Sequence, residues 1–131
     1  MTSEHSFHIL VVDDEFAILK LITALLKTSG YKTLSAMNGT EAFALFKEHE
    51  NEINLLITDI VMPEMDGVEL AVQIHRLRPD LPVIFVSGFC QQIPGLLQYC
   101  QRVEKPFKPQ ELLKKIADIL TPAKGRAEGA H

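Results

Sequence analysis

The chain is poor in cysteine: its 131 residues include two, Cys90 and Cys100. So sparse a pair is no disulfide framework, and the cytoplasm, with both thiols reduced, is the expected location. Both are read as half-buried small apolar residues. Long hydrophobic runs are also missing. The longest span only a handful of residues, which excludes a membrane-crossing helix. The opening MTSEHSF has neither a basic nor an apolar segment, so no signal peptide is expected. Clustered base is lacking too. Thirteen Lys and Arg lie scattered among 17 Asp and Glu, giving a net charge of −4. A nucleic-acid surface would need a concentrated basic face, and none is expected here. The five histidines show no metal-binding spacing. His8 falls in an expected strand, His49 and His75 near helix ends, and His5 and His131 in the tails, so all five are read as structural or solvated.

What is present is a composition of 47% hydrophobic and 23% charged residues, which suits one soluble domain with a single core. Strand and helix patterns alternate along it. The strands are expected at 8–13, 32–36, 54–58, 82–87 and 101–104. The third, around LLIT, is apolar almost throughout, as in a parallel strand covered on both faces. A first helix over 15–29 would bury Ile18, Ile22, Leu25 and Leu26, with Gly30 as its C′ residue. Asn38 with Glu41, and Asp66 with Glu69, read as capping pairs for the next two helices. These would turn Ala42, Leu45 and Phe46, then Leu70, Ile74 and Leu77, inward. Pro109 opens a last helix over 109–120, with Leu112, Leu113, Ile116 and Ile119 inward. The fold class is therefore α/β: a doubly wound, flavodoxin-like, five-stranded parallel sheet of order 2-1-3-4-5. The domain is expected over 1–122, with 123–131 a small polar tail.

Four of the strands end in chemistry. Asp13 and Asp14 close the first, Asp59 the third, Ser87 the fourth and Lys105 the fifth. Carboxyl ends of parallel strands share one edge, and ligands bind in the crevice outside it. Three carboxylates, a hydroxyl and an ammonium suit a divalent cation and a phosphoryl group. A lone Asp after a strand is as readily a helix cap, and a lone Lys is usually a solvated surface residue. Their common edge is what argues otherwise.

The segments VVDDE (11–15), ITDIVMPEMDG (57–67), VSG (86–88) and EKPF (104–107) resemble the receiver domain of two-component response regulators. The resemblance spans residues 8–120, with four motifs in the right order. It implies Asp59 as acceptor of a phosphoryl group from a histidine kinase or phosphotransfer protein. A carboxylate in that position attacks phosphorus to give an acyl phosphate. It implies Mg²⁺ as cofactor, with Asp14, Asp59 and the Val61 backbone carbonyl as ligands and Asp13 acting mostly through water. Lys105 would neutralise phosphoryl oxygens and Ser87 would donate to one of them. A cis Lys105–Pro106 peptide is implied as well. Gly67 would permit close packing in the loop below the site. Partner selection would lie on the first helix and the loop after the fifth strand. A downstream protein or a linked output domain would receive the signal.

Three features depart from the family pattern. Arg102 stands where receivers usually carry an aromatic switch residue, three positions before the lysine. Burying its charge without a partner is costly, so it is expected to stay outside and serve a partner surface. The stretch between Ser87 and Lys105 is short and contains Pro94 and Gly95, so a helix there should be short, displaced or partly unwound. Val61 and Phe89 flank the expected route of attacking water and cannot orient it, which predicts slow autodephosphorylation.

Other readings are a phosphate-sink or relay receiver, a degenerate docking module, and a haloacid-dehalogenase-type phosphatase. The last needs a second acid two residues after its nucleophile, where Val61 stands. The residues after the last helix hold no helix-turn-helix, kinase or cyclase pattern. A stand-alone receiver and one cut from a longer protein are both compatible with that.

Overall fold

A computed structural model describes residues 7–88 and 100–120. Among these residues, nine elements follow in chain order: β1 (His8–Val12), α1 (Phe16–Thr28), β2 (Lys32–Ala36), α2 (Gly39–Glu48), β3 (Ile53–Asp59), α3 (Gly67–Leu77), β4 (Val83–Ser87), β5 (Cys100–Glu104) and α4 (Pro109–Leu120). The strands form one parallel sheet in the order β2-β1-β3-β4-β5, as expected. Strands β1 and β3 lie side by side at its centre, where the winding direction reverses.

Each face of the sheet carries its own core. Leu10, Val12, Leu56, Val83 and Phe85 face α2 and α3, packing with Ala42, Phe46, Leu70 and Ile74. Ile9, Val11, Leu55, Ile57, Ile84 and Val103 face α1 and α4, packing with Leu19, Ile22, Leu26, Leu112 and Ile116. Alternate residues of each central strand thus point into opposite layers, which is why these strands are apolar at almost every position.

The expected helix signals act locally. Asn38 Oδ1 accepts the Glu41 amide at 2.7 Å, and Asp66 Oδ1 accepts the Glu69 amide at 2.8 Å. Each satisfies one otherwise orphaned amide of a first turn. Past α1, Gly30 has φ 95°, with its amide on Lys27 O at 3.0 Å and that of Tyr31 on Leu26 O at 3.0 Å. This is a Schellman closure, which needs the left-handed backbone that glycine adopts without strain.

Some inward positions differ from expectation. Leu19 is buried on α1, while Ile18 and Leu25 sit at the margin of its buried stripe. Leu45, Leu113 and Ile119 are likewise half-buried. Leu77 is exposed and Ala71 is buried in α3. Leu77 is the last residue of that helix. The stretch with Pro94 and Gly95, together with Phe89, Cys90, His5, His131 and the tail, lies outside the described residues. No described helix is long and apolar enough to cross a membrane.

Candidate functional site

Among the described residues, the buried polar or charged ones are Asp13, Thr58, Asp59 and Ser87. All four lie at the carboxyl ends of β1, β3 and β4. Burying such groups is unfavourable unless they are partnered, so their confinement to one edge marks that edge.

The sheet builds the site directly. Asp13 follows β1 and is held by its amide on Ala36 O at 3.2 Å; only 1% of it is exposed. Its Oδ1 accepts the Glu15 amide at 2.8 Å. Asp59 ends β3, buried, with its Oδ1 3.4 Å from the Val61 amide. Ser87 ends β4, buried, and its carbonyl accepts the Lys105 amide at 2.7 Å. That bond fixes the segment leaving β5. The following Lys105–Pro106 peptide is cis, as the resemblance implies.

From there Lys105 Nζ reaches back across the edge. It lies 3.3 Å from Asp13 Oδ2, 3.3 Å from Asp59 Oδ2 and 3.7 Å from Glu15 Oε1. Carboxylate oxygens of Asp13, Asp14 and Asp59 lie within 4.8 Å of one another. Asp14 is the solvent-facing member of the three. This set fits a small hard cation: the donors are all oxygen, and the ammonium already bridges two of them, as a cation would. Of the residues expected to act together, Asp13, Asp14, Asp59 and Lys105 are brought together, and Ser87 stands at the end of the neighbouring strand. Val61 sits beside Asp59 with its side chain exposed.

The charges respond to this packing. Burial pushes the Asp13 carboxyl above its ordinary range. The Glu15 amide and Lys105 oppose this, and the charge of Asp59 adds to it. Burial alone would lower the Lys105 ammonium, but the charges of Asp13 and Asp59, and the hydrogen bonds it donates to both, outweigh it and hold it above its ordinary value.

Gly67 fixes the floor. Its amide donates to Ile60 O at 2.8 Å, and a Cβ there would lie 1.9 Å from Asp59 O. No side chain fits, so the loop after β3 closes directly under Asp59.

Arg102 is half-buried on β5, with Nε shielded from solvent, rather than wholly outside as expected. An arginine stem can cover apolar surface while its head stays partly wet. The sequence reading also missed Glu15 as a neighbour of Lys105. Its place beside Asp13 and Asp14 in the DDE run was the only available signal.

The family model for the response regulator receiver domain matches residues 9–117. The response regulator SaeR of Staphylococcus aureus is 32% identical over 118 residues, covering 87% of this chain and 50% of that protein. The chain thus spans about half the length of the curated relatives it matches. A response regulator receiver domain protein from Clostridium thermocellum is 31% identical with a TM-score of 0.83, covering 90% of this chain and 97% of the other. CheY of Borrelia burgdorferi, solved as a CheX–CheY–BeF3–Mg²⁺ complex, is 25% identical with a TM-score of 0.80, covering 86% and 88%. With its sheet order, its edge of acids and lysine, and these matches, the chain belongs to the response regulator receiver domain family of two-component signalling.

Proposed function

We propose that this receiver domain accepts a phosphoryl group on Asp59, from a sensor histidine kinase or a phosphotransfer protein, in the cytoplasm. The observation that carries this reading is the Lys105 ammonium at 3.3 Å from both Asp13 and Asp59, on an edge otherwise dominated by acid. One Asp59 carboxylate oxygen attacks phosphorus. The bond from phosphorus to the donor breaks, its electron pair leaves with the donor, and an acyl phosphate remains on Asp59. Lys105 shifts from the free carboxylates to the phosphoryl oxygens, and the Ser87 hydroxyl donates to one of them. Because both stand on the same carboxyl edge as Asp59, Ser87 at the end of the neighbouring β4 and Lys105 just past β5, little reorganisation is needed.

Asp13, Asp14, Asp59 and the Val61 carbonyl are the residues that would hold Mg²⁺. The relative from Borrelia burgdorferi, with Mg²⁺ in its complex, favours that cation. When bound, the ion supplies charge neutralisation to the phosphoryl oxygens. Added charge of about −1.5 to −2 on Asp59 then biases the surface offered to a downstream protein or linked output domain. The apolar, exposed Val61 cannot orient an attacking water, so the acyl phosphate is long-lived. The domain is a signalling module whose only chemistry is its own phosphorylation and dephosphorylation.

Intact-protein mass after incubation with acetyl phosphate tests this. A single phosphoryl adduct that needs Mg²⁺ and is lost in Asp59→Asn is expected. Equal labelling of Asp59→Asn, or no adduct at all, would overturn it. The second result would leave a docking module.

A further inference from the structure

Glu15 is the N-cap of α1, with extended backbone at φ −91° and ψ 111°, yet its side chain makes no capping hydrogen bond. A glutamate there ordinarily gains from the helix N-terminus. Here its Oε1 instead lies 3.7 Å from Lys105 Nζ. The backbone directs this, because the Glu15 amide is tied to Asp13 Oδ1 at 2.8 Å, orienting the residue along the rim of the site. The two partners differ in setting: the Glu15 side chain is 67% exposed and that of Lys105 is 18% exposed. Glu15 therefore sits on the solvent side of the ammonium. Three carboxylates, those of Asp13, Glu15 and Asp59, gather around it, and that of Asp14 lies beside those of Asp13 and Asp59.

We propose that Glu15 is a positioning residue acting through Lys105: it competes for the ammonium and repels small anionic phosphodonors, so that the site favours a phosphoryl group delivered by a docked protein. The inference rests on the phosphoacceptor reading of Asp59. Two effects of the carboxylate share a sign. It draws Lys105 away from where the phosphoryl oxygens arrive, and it adds negative potential on the path of an anion. A protein donor offsets both with docking contacts made elsewhere, whereas a small molecule has none to use. The pair is too exposed to stabilise the fold appreciably, so its effect belongs to encounter and positioning.

The test is the rate of labelling of wild type, Glu15→Gln and Glu15→Asp by acetyl phosphate with saturating Mg²⁺, at low and high salt. Glu15→Gln should label about two- to fivefold faster at low salt, with Glu15→Asp close to wild type. The gap should close at about 1 M salt, where screening acts over roughly 3 Å. With phosphoramidate, a less anionic donor, the gap should be smaller. Thermal midpoints should match, because no cap bond is lost. Wild-type labelling with Glu15→Gln equal or slower overturns the role of Glu15 alone. A salt-independent gap does so as well. No labelling of any variant overturns the phosphoacceptor reading, and this inference with it.

Discussion

At the amino edge of the sheet, polar side chains are tied to backbone. Arg78 donates to Glu50 O at 2.7 Å and Ile53 O at 2.9 Å, the His75 ring meets Leu81 O at 2.8 Å, and Asn54 Oδ1 accepts the His8 amide at 2.9 Å. At the carboxyl edge, ionised side chains meet one another, with acid in excess. The first arrangement closes hydrogen bonds that folding would otherwise leave open, so it serves stability. The second sets like charges side by side and buries part of them, which costs stability and leaves capacity for a ligand of opposite charge.

The contrast can be broken most severely at the carboxyl edge by crowding rather than charge. Gly67→Ala would drive a methyl into the Asp59 carbonyl, and either the loop or β3 must move. Denaturant unfolding should show a loss of about 2–4 kcal/mol. At the amino edge, Arg78→Met would strand the carbonyls of Glu50 and buried Ile53. The expected loss is about 1–3 kcal/mol in the same measurement, with phosphoryl labelling close to wild type.

Asp13→Asn sharpens the comparison, because its two consequences have opposite signs. It should raise the thermal midpoint at neutral pH without Mg²⁺, while weakening Mg²⁺ binding measured calorimetrically. The pH dependence follows from the raised Asp13 carboxyl. Between its ordinary value near 3.8 and its higher folded value, the folded chain holds the proton that the unfolded chain has lost. Stability contributed by this group is therefore present at low pH and falls as pH rises through that window. The advantage of Asp13→Asn should accordingly shrink as pH is lowered toward 4.

The smallest effect is at Cys100 on β5, whose thiol burial pushes up to about 11. In a Cys90→Ser background, thiol labelling at pH 8 should be roughly ten- to a hundredfold slower in folded than in unfolded protein. Phosphoryl labelling should be unchanged.

The sheet order and strand-end residues were legible because parallel strands impose a strong local signal. β-Branched apolar runs ending in a charged residue need no knowledge of distant partners. The caps at Asn38 and Asp66 and the glycine closure at Gly30 were legible for the same reason, since each acts within a few residues. Arg78, Glu15 and Arg102 were not. Arg78 bonds carbonyls 25 and 28 residues away, and Glu15 meets Lys105 from the other end of the chain. A long side chain can reach in several directions, and only the packed fold selects one. Leu77 misled through periodicity, which carries an inward reading to the last residue of a helix, and there Leu77 is exposed.

The most direct test of the central claim is chemical mapping of the phosphoryl group. Protein labelled with acetyl phosphate and Mg²⁺ is reduced with borohydride, which converts an acyl phosphate on aspartate to homoserine, and its peptides are sequenced by mass spectrometry. Homoserine at position 59 alone, absent without Mg²⁺, is the predicted result. Modification at Asp13 or Asp14, or none under conditions that label another receiver, would contradict the account.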